Sequence, residues 1–349
     1  MMEVPSKWLT RLANLSLAQM AHWARRRIVL TRSTGTESRL TKEQAILLHQ
    51  MRIDNASSSA PFSATEHWSG VANLFQREFD LHGIEEIETG YFNLRFSGFA
   101  PGDPRLHRYL LYTYFRILRQ RDSLGLLDKV SATCPVLPGF GYMIDGCRVS
   151  LDLLLSIDEF YSLLEAMPNL ATDAMLVAEI GAGWGRLGYL LKKVNPLITY
   201  IVFDLPEILL ISSSYLPRLL PDVSYGSYEH GRQLRTLDHD ALTTRGMWFF
   251  GAQDFAKVKD NTFDIVVNIA SFQEMTKSQV NTYIGMIDKK TRKEGCLYVK
   301  QLWSGKVQGH KLTEIDGYTS YEFPASWQKV FLRNVTFSQD FFEAAFRII

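Results

Sequence analysis

A doubly wound α/β sheet preceded by a mostly helical N-terminal region is the architecture this sequence predicts, on three observations. From Met175 onward, short apolar runs of four to seven residues alternate with helical stretches, the pattern of parallel strands joined by crossover helices. The first of those runs leads straight into a glycine turn, Gly181-Ala-Gly183-Trp-Gly185. Before about residue 130 that alternation is absent, and apolar residues recur at helical spacing instead.

The elements follow in order. Trp8, Leu12, Leu15, Met20 and Trp23 lie at roughly helical spacing, and Arg25-Arg26-Arg27 is a short basic cluster that suits a solvated helix end. Thr41, followed by Glu43 and Gln44, marks a helix start with Ala45 to Met51 as its apolar body. Residues 55–65 are small and polar, which predicts a loop. Arg105 to Leu126 carries Leu106, Tyr109, Leu110, Tyr112, Phe115 and Leu118 between arginines and predicts one amphipathic helix. Residues 133–149, with Pro135, Pro138, Gly139, Gly141 and Gly146, predict a loop. Ser150 to Met167 predicts the helix that leads into the second domain. The expected division is 1–149, a helical N-terminal domain that lids the site and sets the acceptor, and 150–349, a cofactor-binding domain. Its strands are expected at Met175–Ile180, Tyr200–Phe203, Met247–Phe250, Phe263–Ile269 and Cys296–Val299, then near Val330–Val335 and Phe346–Ile349. Seven strands with the last two close in sequence suggest five parallel strands plus a terminal antiparallel pair.

Bulk properties bound the function. A chain of 349 residues, 46% hydrophobic and 21% charged, is an ordinary globular protein with room for two domains. A net charge of +1 gives no global basic field for nucleic acid. The three cysteines, Cys134, Cys147 and Cys296, form no Cys-x-x-Cys pair, which argues against a disulfide framework or a zinc site and for a cytoplasmic protein. No apolar run approaches the ~18–20 residues of a membrane helix.

The glycine turn and its surroundings hold the chemistry. Glycines permit positive φ and let a ligand approach the backbone closely, and residues 186–193 follow as a helix whose N-terminal amides face that ligand. The next strand ends in Asp204 and Leu205, and an acidic residue there suits a ribose hydroxyl pair. After the third strand come Asp254, able to accept from an adenine amine, and Phe255, either a stacking ring or a core aromatic. Asn268 ends the fourth strand beside the cofactor. Two ligands compete. S-adenosylmethionine fits the frame Gly181-Gly183-Gly185, with Glu179 near its amino end. A nicotinamide dinucleotide fits Gly183-Trp-Gly185-Arg-Leu-Gly188 with Asp204, but that frame starts three residues beyond the strand and leaves Glu179 unexplained.

The segments Val177-Ala-Glu-Ile-Gly-Ala-Gly-Trp-Gly-Arg-Leu, Phe203-Asp-Leu-Pro-Glu and Phe263-Asp-Ile-Val-Val-Asn-Ile-Ala-Ser-Phe-Gln-Glu-Met resemble the class I S-adenosylmethionine-dependent methyltransferases. More narrowly, the run Asn268 to Met275, the helix Ser150-Leu-Asp-Leu-Leu-Leu-Ser-Ile-Asp-Glu-Phe-Tyr and the ending Trp327-Gln-Lys-Val-Phe-Leu-Arg are similar to a bacterial family of sugar O-methyltransferases. The resemblance covers roughly residues 140–349. It implies a seven-stranded Rossmann-like methyltransferase sheet, S-adenosylmethionine as cofactor, and methylation of a hydroxyl on a sugar or sugar-bearing natural product. A nicotinamide oxidoreductase and a small-molecule N-methyltransferase are the alternatives.

A sugar hydroxyl is a weak nucleophile and needs a base. Glu274, after the fourth strand, is a candidate base or a helix-orienting residue, and His310, in the loop after the fifth, is a second candidate base by residue type, although a lone loop histidine is more often just solvated. Trp303 can wall a sugar face or pack in the core. Tyr161, with Asp158 and Glu159, can approach the methionine end, although a solvated helix face suits all three better. No tight acidic cluster suggests a metal. The partners expected are a small-molecule acceptor and a second copy in a homodimer, with neither nucleic acid nor membrane.

Overall fold

The structure, a computed structural model, describes residues 38–58, 62, 64–86, 104–131, 142–304, 306–307, 310–311 and 314–349. The helical spacing of Trp8 to Trp23 and the Arg25–Arg27 cluster lie outside the described residues, as does residues 132–141 of the expected loop. Helix α1 (Lys42–Ala56) starts where expected. Thr41 and Gln44 form a reciprocal cap, each side chain accepting from the other's backbone amide. Helix α2 (Glu66–Glu86) kinks at Gly83, whose φ is 66°. Helix α3 (Pro104–Arg119) is shorter than the expected span to Leu126. Asp122 ends it by starting another helix: its carboxylate accepts from the amides of Leu126 and Leu127, the first residues of α4 (Leu126–Ser131).

Part of the expected loop at 133–149 is a hairpin. Strands β1 (Tyr142–Ile144) and β2 (Cys147–Val149) pair across Asp145-Gly146, both with positive φ (50° and 81°). Asp-Gly is the dipeptide that a tight hairpin turn selects. Helix α5 (Leu151–Ala166) follows, capped by Ser150.

The remaining elements build the sheet. They are β3 (Leu176–Ile180), α6 (Arg186–Val194), β4 (Thr199–Asp204), α7 (Pro206–Leu219), β5 (Tyr225–Gly226), α8 (Tyr228–Gln233), α9 (His239–Thr243), β6 (Met247–Gly251), β7 (Phe263–Ile269), α10 (Lys277–Lys290) and β8 (Thr291–Leu302). A small pair, β9 (Lys306–Val307) and β10 (His310–Lys311), precedes β11 (Gln328–Val335) and β12 (Ser338–Arg347). The sheet order is β11-β12-β8-β7-β3-β4-β6-β5. The strands from β5 to β8 are parallel, and β12 is antiparallel to both neighbours. This is the expected doubly wound Rossmann-like sheet, with one unforeseen strand: β5 is a two-residue edge too short to show as an apolar run. The last strand begins at Ser338, earlier than expected, because its first residues alternate with solvent and do not read as an apolar block.

Both faces are covered, which is why the central strands read as continuous apolar runs. Val177, Tyr200, Val202, Met247 and Phe249 face a core shared with α5, α6 and α7. Leu48, Met51, Phe75 and Phe79 from α1 and α2 join the same core. Leu176, Ala178, Ile201, Phe203 and Trp248 face the opposite core, closed by Val280, Tyr283 and Ile287 of α10. The period-2 alternation therefore puts Glu179 on the same face as Tyr200 and next to α5 and α6. All carboxyl ends of the parallel strands open at one edge, where a doubly wound sheet holds its ligand.

Candidate cofactor and acceptor site

The turn after β3 begins at the strand's end. Gly181, Gly183 and Gly185 have φ of 73°, 63° and 87°, a region that side chains strain. The Gly181 amide donates to the Phe203 carbonyl at 2.8 Å, and a Cβ on Gly181 would overlap Ser271. Across the turn stands Asp204, at the tip of β4. It accepts from the Gly183 amide at 3.0 Å and from the Leu205 amide at 2.7 Å. Burial nonetheless pushes its carboxyl up to about 7, against the backbone amides that lower it.

Two further carboxyls share this edge. Glu179 is buried, accepts from the Tyr200 hydroxyl, and is pushed up to about 8 by burial, partly offset by that hydrogen bond and by Arg186. Glu274 lies in a short 3-10 turn (Phe272–Glu274) after β7. That turn is entered through Ala270, which holds a positive φ of 56° although it carries a side chain. Burial pushes Glu274 up to about 8, against the indole of Trp68, which donates to its Oε2 at 2.9 Å. The negative charge of Asp204 adds to the rise of both glutamates, so all three lie within electrostatic reach at the carboxyl ends of β3, β4 and β7.

Other expected residues are placed differently. Phe255 is fully buried, edge-on to Phe203 at 5.1 Å and stacked on Phe263 at 5.9 Å; its ring belongs to the core and is not open to an adenine. Asp254 accepts from the Gly251 amide at 3.1 Å and pairs with Lys257 at 2.6 Å, closing its own turn. Asn268 is a brace and not an open contact. Fully buried, it donates to the Ile180 carbonyl at 2.8 Å and accepts from the Phe272 amide and from Gln301, tying β3, β7 and β8 together.

The acids Asp158 and Glu159 of helix α5 do not lie on a solvated face. Asp158 and Glu159 are buried, because each has a cation to meet. Arg121 reaches Asp158 at 2.6 Å. Arg186, the first residue of α6, grips Glu159 with two bonds of 2.5 and 2.8 Å, and Lys300 of β8 adds a third at 2.8 Å. Burial would raise Glu159, but the two cations outweigh it and hold the carboxyl below its ordinary value. Asp152 on the same helix accepts from the Trp184 indole inside the glycine turn at 3.0 Å. Tyr161 does not join this group. Its hydroxyl donates to Asp122 at 2.7 Å and accepts from the Leu124 amide, anchoring the turn before α4. Trp303, just beyond β8, donates to Asn334 at 2.5 Å and packs on Phe342. His310 pairs through its backbone with Val307, and its side chain lies outside the described residues.

Helices α1 and α2 dock on this same edge. Arg52 pairs with Glu207 at 2.8 Å, just past Asp204. Asp54 accepts from Tyr228 at 2.9 Å and pairs with Arg232. Asn55 donates to Gln253, after β6, at 3.3 Å. Thr65 donates to the Glu274 carbonyl, and Trp68 to its carboxylate. Sequence reasoning missed Trp68, Gln253, Arg186 and Lys300. Only Arg186 carried a signal, its place directly after Gly185.

No family model matches the chain, and no curated protein matches it. Among solved structures, it is similar to one described as a sarcosine dimethylglycine methyltransferase from Galdieria sulphuraria (12% identity, 44% of this chain and 48% of that one, TM-score 0.31). It is also similar to a SAM-dependent methyltransferase from Aquifex aeolicus (14% identity, 54% and 93%, TM-score 0.36). A third is an O-methyltransferase family 2 protein from Planctomyces limnophilus, in complex with apigenin (14% identity, 57% and 63%, TM-score 0.35). The chain thus spans about half the length of the first of these and under two thirds of the third.

Proposed function

We propose that this chain is an S-adenosylmethionine-dependent methyltransferase that methylates a hydroxyl of a small molecule. The observation that carries this reading is the set of three desolvated carboxyls, Glu179, Asp204 and Glu274, around a glycine turn. Among the described residues none of the three forms an ion pair. Such a cup favours a cation, since each nearby positive charge stabilises the ionised carboxyls. A sulfonium bearing an ammonium fits it, because its charge favours the ionised carboxyls, whereas the pyrophosphate of a dinucleotide would favour their protonated forms.

The residues present suit that cofactor. The turn Gly181–Gly185 would hold its amino-acid end with Glu179 toward the amino group, and Asp204 with Leu205 would take the ribose hydroxyls. Asp254 and Gln253 border the adenine side. The cofactor supplies a methyl group on a sulfonium, whose leaving group is a neutral thioether. The protein's task is then to orient the acceptor and take its proton. Glu274 is the candidate to take that proton, and α1 and α2 cover its edge of the sheet. The resemblance in residues 140–349 supports a sugar or sugar-bearing metabolite as the acceptor, with Trp303, just beyond β8, as the candidate wall. The helical region before residue 150 is then the lid and acceptor-setting domain.

One observation favours the oxidoreductase alternative. Gly188 lies inside α6 against the Tyr200 ring, as the third glycine of a dinucleotide fingerprint would. Two others oppose it. The strand ends at Ile180, so the turn begins at Gly181 and not at Gly183. Counted in chain order, the seven longer strands run 3-2-1-4-5-7-6, with β12 inserted between β8 and β11, whereas the dinucleotide order is 3-2-1-4-5-6. Isothermal titration with S-adenosylhomocysteine and with nicotinamide dinucleotide decides between them. Binding of the first alone is expected. Binding of the second alone would overturn the proposal, and binding of neither would leave a non-enzymatic scaffold.

A further inference from the structure

We infer that Trp68 is a positioning residue for Glu274: the lid helix holds one carboxylate oxygen and leaves the other to the acceptor hydroxyl. The inference rests on the methyl-transfer reading for its chemistry and on geometry for its substance.

Glu274 is gripped twice by the start of α2. The Thr65 hydroxyl donates to its backbone carbonyl at 3.3 Å, and the Trp68 indole, one turn on, donates to Oε2 at 2.9 Å. The turn carrying it is also fixed from the sheet. Asn268 accepts from the Phe272 amide, and Gln301 accepts from the Gln273 amide at 3.2 Å. Gln273 in turn accepts from the Leu302 amide at 2.9 Å. Glu274 is thus clamped between a helix that covers the edge and the strands that form it. Among the described residues, no donor reaches its Oε1.

The choice of tryptophan matters chemically. An indole N–H donates and never accepts, and it does not titrate in the working range of a protein. It therefore fixes which oxygen is occupied whatever the protonation of Glu274. It also stabilises the ionised carboxylate, the form a base requires. Asp204 is the other titratable group that acts on Glu274, and it acts in the opposite direction. No cation pairs with Glu274 among the described residues, so the indole is its counterweight. When an acceptor hydroxyl donates to Oε1, its proton passes to that oxygen and Oε2 keeps its indole bond. A lid that merely covered the site would need no such bond.

The test is nuclear magnetic resonance of the full chain labelled with 15N at the tryptophan indoles. There are seven, and the resonance of Trp68 is assigned by its loss in Trp68→Phe. As the pH rises from 5 to 10, that resonance is expected to shift in a single one-proton step. In Glu274→Gln, an uncharged isostere that keeps an acceptor, the resonance remains but the step is gone. In Trp68→Phe the 13C-labelled Glu274 carboxyl titrates at higher pH than in the wild type. If Trp68→Phe fails to fold, the resonance whose step is lost in Glu274→Gln identifies Trp68. An indole set in which no step depends on Glu274 overturns the inference. So does an unchanged Glu274 titration in a folded Trp68→Phe. The same wild-type sample is titrated with S-adenosylhomocysteine. Failure to bind would sink the methyltransferase reading while the indole step stood, and binding without the step would sink only the positioning role.

Discussion

The two halves of the candidate site are built from contacts of very different reach. On the cofactor half, Asp204 meets the Gly183 amide 21 residues away, and Asp254 meets Gly251 three residues away. On the acceptor half, Asn55 meets Gln253 across 198 residues and Trp68 meets Glu274 across 206. The first half is local chain geometry set by glycines and strand ends. The second is a docked layer of helices. The difference teaches that cofactor binding and acceptor alignment can be disturbed largely separately, because the two halves meet only at Gln253 and through the charge of Asp204 on Glu274.

The largest effect is expected on the local half. Asp204→Ala removes the buried carboxyl proposed to accept from the ribose diol. Two charge-assisted hydrogen bonds at about 1.5 kcal/mol each amount to roughly a 100-fold loss of S-adenosylhomocysteine affinity by calorimetry. An affinity within about threefold of wild type would show that Asp204 serves only the glycine turn, as it does through Gly183.

A pH dependence of intermediate size separates the charge of the cup from its shape. Glu179 at about 8 and Asp204 at about 7 hold protons near neutrality in the free protein. A cation favours their ionised forms, so binding releases protons and tightens as the pH rises from 6 to 8, by up to tenfold per unit for each proton. Titration in two buffers of different ionisation enthalpy measures that release. It is expected to be greater with S-adenosylmethionine than with S-adenosylhomocysteine, which lacks the sulfonium charge. In the unliganded protein the sign is opposite. Carboxyls that hold protons more tightly when folded lose stability as the pH climbs from the ordinary carboxylate range to about 8.

The smallest effect falls on the docked half. Asn55→Ala breaks the bond to Gln253 and leaves the buried Phe62 carbonyl without its donor. A lid weakened by about 1 kcal/mol releases ligand roughly five times faster in stopped-flow experiments, with the association rate little changed. An unaltered dissociation rate would mean that α1 does not gate the site.

That contrast also decides what the sequence could reveal. Gly181 to Gly185 and Asp204 were legible because strand, turn and acid follow each other along the chain. The helix after Ser150 was legible, but the role of its acids was not, since Glu159 is neutralised by Arg186 and Lys300, 27 and 141 residues away. Phe255 and Asn268 had the right residue types at the right strand ends. The packing of Phe263 on the one and the bonds of Gln301 to the other turned them inward. The Asp145-Gly146 turn was a missed local signal, hidden by the glycines and prolines before it. Trp68 had no signal at all, because nothing near it in the chain marks an indole that will meet a carboxylate 206 residues on.

That span of 206 residues also has a price in time. At synthesis rates of about 5–20 residues per second, roughly 10–40 s separate the emergence of Trp68 from that of Glu274. Through the first part of that interval Phe75 and Phe79 of α2 lack α7 and the sheet residues whose core they come to share. The nascent chain therefore carries an unshielded helix layer while the parallel sheet is still being made. The step that completes the acceptor half is also the one that withdraws this apolar surface from chaperones and from neighbouring chains.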